Sequence, residues 1–370
     1  MRIRKILLAL SCFASVILAL PFSLSADDSF LNIGVIAPLS GGLAEYGTAF
    51  KNGVSLAQRE KRNSSCRFVF EDSKYDPKIA VSAFRKIVQH DEARIIYNFG
   101  GPTTEALAPL AEANKVVLFT SETEPYFSKG RKYVLRFNSP SEAFGRALAD
   151  GLKRSGFKRI GLLRTENQYI NGVFNALKET LSDNITMTEL AVVLPSQNDF
   201  STIISKARVA DHDAIGVFLL PGQISLFYRQ LQKQKLSPQT FALDFLESAP
   251  EIAASGPSVS GVIFPANAVD DSFRIKYRQV NGNEAQIQYA GFGYDFAKLI
   301  LQRVCSEAKL PSAADDLLVL LKNSSGQGVN GEFKYVETEE DDKYFAFPVV
   351  LRKVEKADLV TIWPKSGVEG

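Results

Sequence analysis

The chain has 370 residues, of which 45% are apolar and 23% charged, an ordinary composition for a globular protein. This length exceeds what one small core needs and fits two domains. The formal net charge is +2, from 43 basic and 41 acidic side chains, which argues against a nucleic-acid partner and against a charged tail.

The first 26 residues have the layout of a secretory signal peptide. Three basic residues lie within the first five positions, an apolar run covers residues 6–22, and Ser25-Ala26 offers a small-residue cleavage site. A membrane anchor is one alternative, but the apolar run is slightly short for a full span and has no basic flank on its far side, so we expect cleavage near Ser25 or Ala26 and export to the periplasm. No comparable apolar run follows, so we expect a soluble mature protein. An alternative is lipoprotein processing at Cys12, which would leave the apolar residues 13–20 in the mature chain.

From Leu31 onward, short apolar runs typical of buried strands alternate with segments of helical spacing. The predicted strands are Leu31–Ala37, Arg67–Glu71, Ala93–Phe99 and Val116–Thr120, and the helices between them are Glu45–Lys61, Pro77–Gln89 and Thr103–Asn114. Asp76 before Pro77 is a typical N-cap followed by a first helical residue.

After a link around residues 136–140 the alternation resumes. The predicted helices are Ser141–Ser155, Asn171–Ser182, Phe200–Ala210, Ile224–Gln234 and Tyr289–Ala308, and the strands are Arg159–Arg164, Thr188–Leu194, Ala214–Leu220, Thr240–Leu243, Gly261–Phe264, Lys343–Leu351 and Leu359–Trp363. This order predicts an α/β fold with two doubly wound, Rossmann-like lobes. The helix from Tyr289 and the β-rich tail return to complete the lobes.

Few residues are suited to catalysis. The chain has two histidines, His90 and His212, and each lies beside an aspartate at the end of a predicted helix, where surface charge accounts for it. No metal-ligand spacing, phosphate loop or nucleophile elbow is present. We therefore predict no enzymatic activity, no metal and no cofactor. Cys66 and Cys305 remain after cleavage, and the sequence leaves open whether they pair.

Loop motifs in the first block carry a family resemblance. In chain order they are Ile36-Ala37-Pro38-Leu39-Ser40-Gly41, Tyr46-Gly47, Asn52-Gly53, Phe70-Glu71-Asp72, Asp76-Pro77, Gly100-Gly101, Ala106-Leu107-Ala108-Pro109 and the segment Ser121–Pro125. Together they resemble the branched-chain amino-acid type of periplasmic binding protein, the substrate-binding component of ABC importers. Beyond residue 125 the likeness is one of strand and helix order.

The resemblance implies a type I periplasmic-binding fold with three hinge crossovers, near Pro140, Pro265 and Gly331. The N-terminal lobe would then comprise residues 27–139 with 267–330, and the C-terminal lobe residues 140–266 with 331–370. It also implies a monomer that closes about its hinge over a small molecule and then docks on a membrane permease.

In this family the first-lobe loops hold a ligand carboxylate, and the matching positions here are Gly100, Ser121 and Thr123. Loops beyond the carboxyl ends of strands, with unpaired N–H groups at helix N-termini, suit an anion. The family has a hydroxyl where this chain has Gly100, and Thr103 or Thr104 would replace it. An alternative is that Ser121 and Thr123 only satisfy turn backbone.

The other contacts implied by the resemblance are aromatic and acidic. The aromatic positions are Tyr46, Tyr169 and Tyr289. Asp244 would pair with a ligand ammonium, with Glu247 a weaker candidate. Tyr46 and Tyr289 have core or hinge packing as alternatives, and Leu220 stands where amino-acid binders carry an aromatic.

We therefore predict a solute-binding protein of an ABC importer that binds a small amino acid or a related carboxylate. If Asp244 does not face the cleft, an aliphatic or aromatic carboxylate without an ammonium group fits better. A ligand-binding sensory module on the same fold is the second hypothesis, and a hydrolase of unusual design is the third.

Overall fold

The computed structural model describes residues 30–61, 64–181, 185–306, 311, 313–322, 324–356 and 358–363. The predicted signal peptide, residues 1–26, and the alternative processing site at Cys12 lie outside these residues.

The first sheet has eight strands. They are β1 Leu31–Ala37, β2 Cys66–Asp72, β3 Ile95–Asn98, β4 Val117–Thr120, β5 Val134–Arg136, β11 Ser325–Gly328, β12 Gly331–Glu337 and β13 Lys343–Ala346. Their order is β11-β12-β13-β5-β4-β3-β1-β2. The strands β1 to β5 run parallel, β13 joins β5 in parallel, and β11 to β13 form an antiparallel edge.

The second sheet has seven strands. They are β6 Arg159–Thr165, β7 Thr186–Val193, β8 Ala214–Phe218, β9 Thr240–Ala242, β10 Ile263–Asn267, β14 Val349–Glu355 and β15 Asp358–Trp363. Their order is β15-β14-β10-β9-β8-β6-β7. The strands from β6 to β10 are parallel, whereas β14 and β15 are antiparallel to their neighbours.

Helices cover both faces of each sheet. They are α1 Ala44–Glu60, α2 Pro77–Gln89, α3 Gly101–Asn114, α4 Ser141–Arg154, α5 Gln168–Thr180, α6 Ser201–Val209, α7 Gln223–Lys233, α8 Ala249–Ser255, α9 Asp271–Asn281, α10 Ile287–Arg303 and α11 Ala314–Leu321. Along β3, Ile95 and Tyr97 enter one core while Ile96 enters the other, as strand alternation requires. Among the described residues no helix is long and apolar enough to cross a lipid bilayer.

Two lobes result, as the sequence predicted. The first lobe contains the first sheet with α1–α3 and α9–α11, and the second contains the second sheet with α4–α8.

Within the first lobe, α1 and α10 pack at close range because glycines line the contact. A Cβ on Gly53 would overlap the carbonyl oxygen of Ala290, and one on Gly293 would overlap that of Phe50. Backbone therefore meets backbone along this contact.

The chain changes sheets three times, and the third change is not where the sequence placed it. It crosses after β5, after β10, and between β13 and β14. The predicted crossover near Gly331, and with it the lobe boundary at 330/331, is wrong because residues 331–346 form β12 and β13 of the first sheet. The predicted strand Lys343–Leu351 is in fact two strands in different sheets. Pro348 lies between them and has no N–H to continue a ladder.

Hydrogen bonds join the crossing segments side by side. The Ser139 hydroxyl and the Phe347 backbone exchange two hydrogen bonds of 2.7 Å. The Ala268 amide donates to the Pro348 carbonyl at 3.3 Å. The first, second and third crossings therefore lie side by side and form one narrow connector between the lobes.

The two cysteines that the sequence left open form a disulfide. Cys66 opens β2 and Cys305 follows α10, and their Cα atoms lie 5.7 Å apart. The bond closes a sequence separation of 239 residues, so it ties an early strand of the first lobe to the helix that returns from the second.

Candidate functional site

A cavity of about 590 Å³ lies between the lobes, at the carboxyl ends of the parallel strands. All seven residues that the sequence singled out as ligand contacts line it. They are Tyr46, Gly100, Ser121, Thr123 and Tyr289 from the first lobe, with Tyr169 and Asp244 from the second. The structure thus brings the predicted residues together around one space, and their contact with a ligand remains a prediction.

The first-lobe floor of the cavity is a glycine at the start of α3. Gly100 has a φ of 108°, which favours glycine, and a Cβ there would overlap the ring of Tyr75. Its amide donates to the Ser121 hydroxyl at 3.3 Å. The expected replacement hydroxyls are turned away, because Thr103 and Thr104 are fully buried and donate to the Gly100 carbonyl. They do not line the cavity.

The loop after β4 is held from behind by a buried ion pair. The guanidinium of Arg136 pairs with Asp342 and also donates to the Thr123 carbonyl. The Asn138 amide donates to the Ser121 carbonyl at 3.0 Å. Because these contacts use the carbonyls, they orient the loop with the Ser121 and Thr123 side chains at the cavity. The Ser121 hydroxyl also accepts a hydrogen bond from the Gly100 amide. The alternative that Ser121 satisfies backbone groups of the turn therefore describes part of its role.

Three tyrosines reach the cavity from the first turns of helices, which begin at the carboxyl edges of the sheets. Tyr46 lies in the first turn of α1, Tyr169 in that of α5 and Tyr289 in that of α10. Tyr46 meets Tyr289 edge to face with ring centroids 5.2 Å apart, and Phe99 packs against both. On the second lobe Tyr169 packs edge to face on Phe245 at 5.6 Å. Each lobe therefore offers an aromatic wall.

Asp244 begins the turn after β9 and is the second-lobe acid of the site. One of its carboxylate oxygens accepts from the Tyr169 phenol at 2.6 Å. Its side chain belongs to a residue only 9% exposed, and burial raises the pKa of Asp244 to about 7 against the lowering effect of Tyr169. Glu247 instead pairs with Arg352 and is not among the residues that line the cavity.

Three further acids line the cavity that sequence reasoning did not single out, the exposed Glu105 and the more enclosed Glu122 and Glu124. Burial, and then the neighbouring Glu124 carboxylate, raise the pKa of Glu122 to about 7. Burial likewise raises the pKa of Glu124. Glu122 lies between the two predicted contacts Ser121 and Thr123, and this position in the sequence could have identified it as a cavity residue. Other lining residues that were missed include Tyr75, Phe99, Phe127, Asn138 and Asn167.

The cavity offers hydroxyls, carboxyls, amides and aromatic faces. Within the described ranges, no group of three or more His, Cys, Asp or Glu side chains has the geometry of a metal site. The polar groups therefore suit recognition of a solute by hydrogen bonds, charge and aromatic contact.

Comparisons with known proteins agree with this architecture. The sequence profile of a family described as periplasmic binding protein matches residues 31–354. A Leu/Ile/Val-binding protein homolog of Brucella abortus is 24% identical over 280 residues, covering 71% of this chain and 74% of that protein.

Solved structures share the fold. A leucine binding protein from Thermotoga maritima superposes with a TM-score of 0.76 at 23% identity, over 90% of this chain and 97% of that one. A solute binding protein of an ABC transporter from Rhodopseudomonas palustris, in complex with 3,4-dihydroxybenzoic acid, gives 0.77 at 19% identity, over 91% and 96%.

Proposed function

The chain belongs to the periplasmic binding protein family, and from that membership we propose that it is the extracytoplasmic solute-binding component of an ABC importer. Members of this family bind solutes and perform no chemistry, which agrees with the prediction that the protein is not an enzyme. We propose that the ligand is a small amino acid or a related carboxylate, held in the cavity between the lobes.

One observation carries the proposal. Seven residues chosen from the sequence as ligand contacts, spread from position 46 to position 289, line a single cavity between the lobes. Support for the ligand class comes from relatives of two kinds. The Brucella abortus homolog is described as Leu/Ile/Val-binding, and the Rhodopseudomonas palustris structure holds an aromatic carboxylate.

The proposed mechanism is hinge closure. The narrow connector allows the lobes to rotate toward each other, which brings the second-lobe Tyr169 and Asp244 onto a ligand resting on the first lobe. In a ligand with an ammonium group, Asp244 is the charge-assisted partner. Closure excludes water from the site, and the closed form is the one that docks on the membrane permease.

The experiment is a thermal-shift panel of amino acids and small carboxylates, followed by calorimetry on each compound that stabilises the protein. A true ligand raises stability by about 3 kcal/mol at a hundredfold excess over its dissociation constant. Tyr169→Ala and Ser121→Ala should each weaken binding while the protein stays folded. Tyr126→Ala is the matched control, because Tyr126 is 56% exposed and lies outside the cavity.

Unchanged affinity in both cavity variants would show that the ligand binds elsewhere. Export is tested separately, by fractionation of cells and N-terminal sequencing of the mature protein, which should begin near Asp27. Retention of the full N-terminus would contradict cleavage.

A further inference from the structure

The charges around the cavity are all of one sign. Four acidic residues line it, Glu105, Glu122, Glu124 and Asp244, and its lining contains no Lys, Arg or His in the part of the chain that the structure describes. Of these acids, Glu105 is exposed at the rim and the others are half-buried or buried. A solute that enters this space therefore meets several carboxyl groups in a setting of reduced dielectric, with no basic side chain among the described lining residues to oppose them.

The basic residue whose charge acts on Glu122 and Glu124 is Arg136, and it already has partners of its own. Arg136 is fully buried, pairs with Asp342 and donates to the Thr123 carbonyl. Its positive charge lowers the pKa of Glu122 and Glu124, but burial and the neighbouring carboxyls raise it by more. Arg136 has no place in the cavity lining, so it offers no direct contact to an anionic ligand.

The carboxyl of Glu122 lies beside the first residue of α3, next to the positions that the resemblance assigns to a ligand carboxylate. A Cβ built on Gly101, the first residue of α3, would lie 3.3 Å from a carboxylate oxygen of Glu122. The only hydrogen bond this carboxyl receives from the described residues is a long one, 3.5 Å, from Ser121. The protein thus places a carboxyl of its own beside the N-terminus of α3, where N–H groups and the helix dipole favour one negative group.

Glu124 extends the acidic patch toward the second lobe. Its carboxyl accepts from the Thr123 hydroxyl at 3.3 Å. A Cβ on Gly172, in the second turn of α5, would lie 2.6 Å from a carboxylate oxygen of Glu124. This first-lobe acid therefore lies against a helix of the second lobe while also lining the cavity.

Seven of the other lining residues are aromatic. They are Tyr46, Tyr75, Phe99, Phe127, Tyr169, Phe245 and Tyr289. Aromatic faces attract cations, most strongly where water is excluded. Acids without bases and several aromatic rings are together the environment that recognises organic cations, and burial of a further carboxylate here would add repulsion.

We propose that the ligand carries two cationic nitrogens joined by an alkyl chain, one bound by Asp244 and the other by Glu122 and Glu124. The proposal rests on the proposed function, because it takes the cavity as the solute site. It narrows the amino-acid class to dibasic members and adds diamines, which share the two cationic nitrogens. A dibasic amino acid also has a carboxylate, which Ser121 and Thr123 would bind, whereas a diamine has none.

The test compares ligands that differ by one cation. Calorimetry at pH 8 is carried out with L-lysine against L-norleucine, and with 1,4-diaminobutane against n-butylamine, so that both sources of the cation are covered. We expect a dication to bind about thirtyfold or more tighter than its partner, as for loss of one member of a buried charge pair. The double variant Glu122→Gln/Glu124→Gln should abolish the difference.

Glu332→Gln is the control, because Glu332 is exposed on β12 outside the cavity. It should leave the preference intact. Circular dichroism and the thermal midpoint establish that each variant is folded. Because burial opposes ionisation of Glu122, the double variant should be as stable as the parent or more so at this pH.

Three results would overturn the inference. The first is equal or tighter binding of norleucine, butylamine or 3,4-dihydroxybenzoate than of the dications, and the second is a dication preference that survives in the double variant. The third is no binding of either dication. If norleucine or 3,4-dihydroxybenzoate binds at least as tightly as the dications and Tyr169→Ala abolishes that binding, the proposed function stands while this inference fails.

Discussion

The phenol of Tyr169 donates a hydrogen bond to the carboxylate of Asp244 at 2.6 Å, joining the start of α5 to the turn after β9. This contact favours the charged form of a carboxyl whose pKa burial raises. Tyr169→Phe removes it and leaves the ring. We expect weaker binding of an amine ligand by about 1.5–3 kcal/mol, the usual worth of a hydrogen bond to a charged group.

Calorimetry measures this loss, and Tyr126→Phe is the control because its ring is exposed. If the hydroxyl of Tyr169 serves only local packing, the dissociation constant will stay the same in Tyr169→Phe and will change only in Tyr169→Ala.

The unliganded protein should lose stability as pH rises. Burial is the main cause that raises the pKa of Glu122, Asp244 and Asp295 to about 7 each, from ordinary values near 4. Between those values the folded protein binds more protons than the unfolded chain, so the free energy of unfolding falls with rising pH. The slope is at most roughly 1.4 kcal/mol per pH unit for each group.

Urea denaturation at pH 5 and pH 8 measures this effect. We expect the higher free energy of unfolding at pH 5, and a smaller difference in the double variant Glu122→Gln/Asp244→Asn. A free energy that is flat or rises between the two values would show that these carboxyls ionise freely in the folded protein.

The contact between α1 and α10 should tolerate no side chain at Gly293. A Cβ there would overlap the Phe50 carbonyl oxygen, and backbone has little freedom to move away. We expect Gly293→Ala to lower the free energy of unfolding by about 1–3 kcal/mol, as overpacking does. Gly42→Ala, where nothing lies within 4 Å of the added Cβ, should change it little. Equal effects in urea denaturation would contradict the packing argument.

The sequence predicted the elements of the first block well because their boundaries have local causes. The strand β1 has the predicted bounds, and α2 begins as expected because Asp76 accepts from the amides of Lys78 and Ile79. The edge of the first sheet was missed for a non-local reason. The run from Lys343 to Leu351 has strand character throughout, and nothing in it shows that the two halves pair with different sheets.

The site was predicted where it depends on loops that follow strands, and missed where it depends on packing across the cavity. Ser121, Thr123 and Asp244 each come soon after a strand, so their position at the carboxyl edge follows from the element order. Tyr75 reaches the cavity because its own φ is 62° and its ring covers Gly100, which no local pattern predicts. The shared sign of the charges became visible only when both lobes were assembled.

The disulfide should contribute substantially to stability. It closes a separation of 239 residues, and cross-links over long loops restrict the unfolded chain most. We expect Cys66→Ser/Cys305→Ser to lower the free energy of unfolding by about 2–5 kcal/mol under oxidising conditions. A reductant should produce a similar loss in the parent and none in the double variant. Equal stability of parent and variant would show that the thiols do not pair.

The interleaved sheets also determine when the protein can finish folding. The first sheet joins β5 to β13, so its pairing is incomplete until residue 346 has left the ribosome or the export channel. The second sheet needs β14 and β15, which end at residue 363. Neither sheet can complete its strand pairing before these C-terminal strands have emerged. The chain therefore reaches its native state only near the end of its delivery, and until then its unpaired strand edges need protection from aggregation.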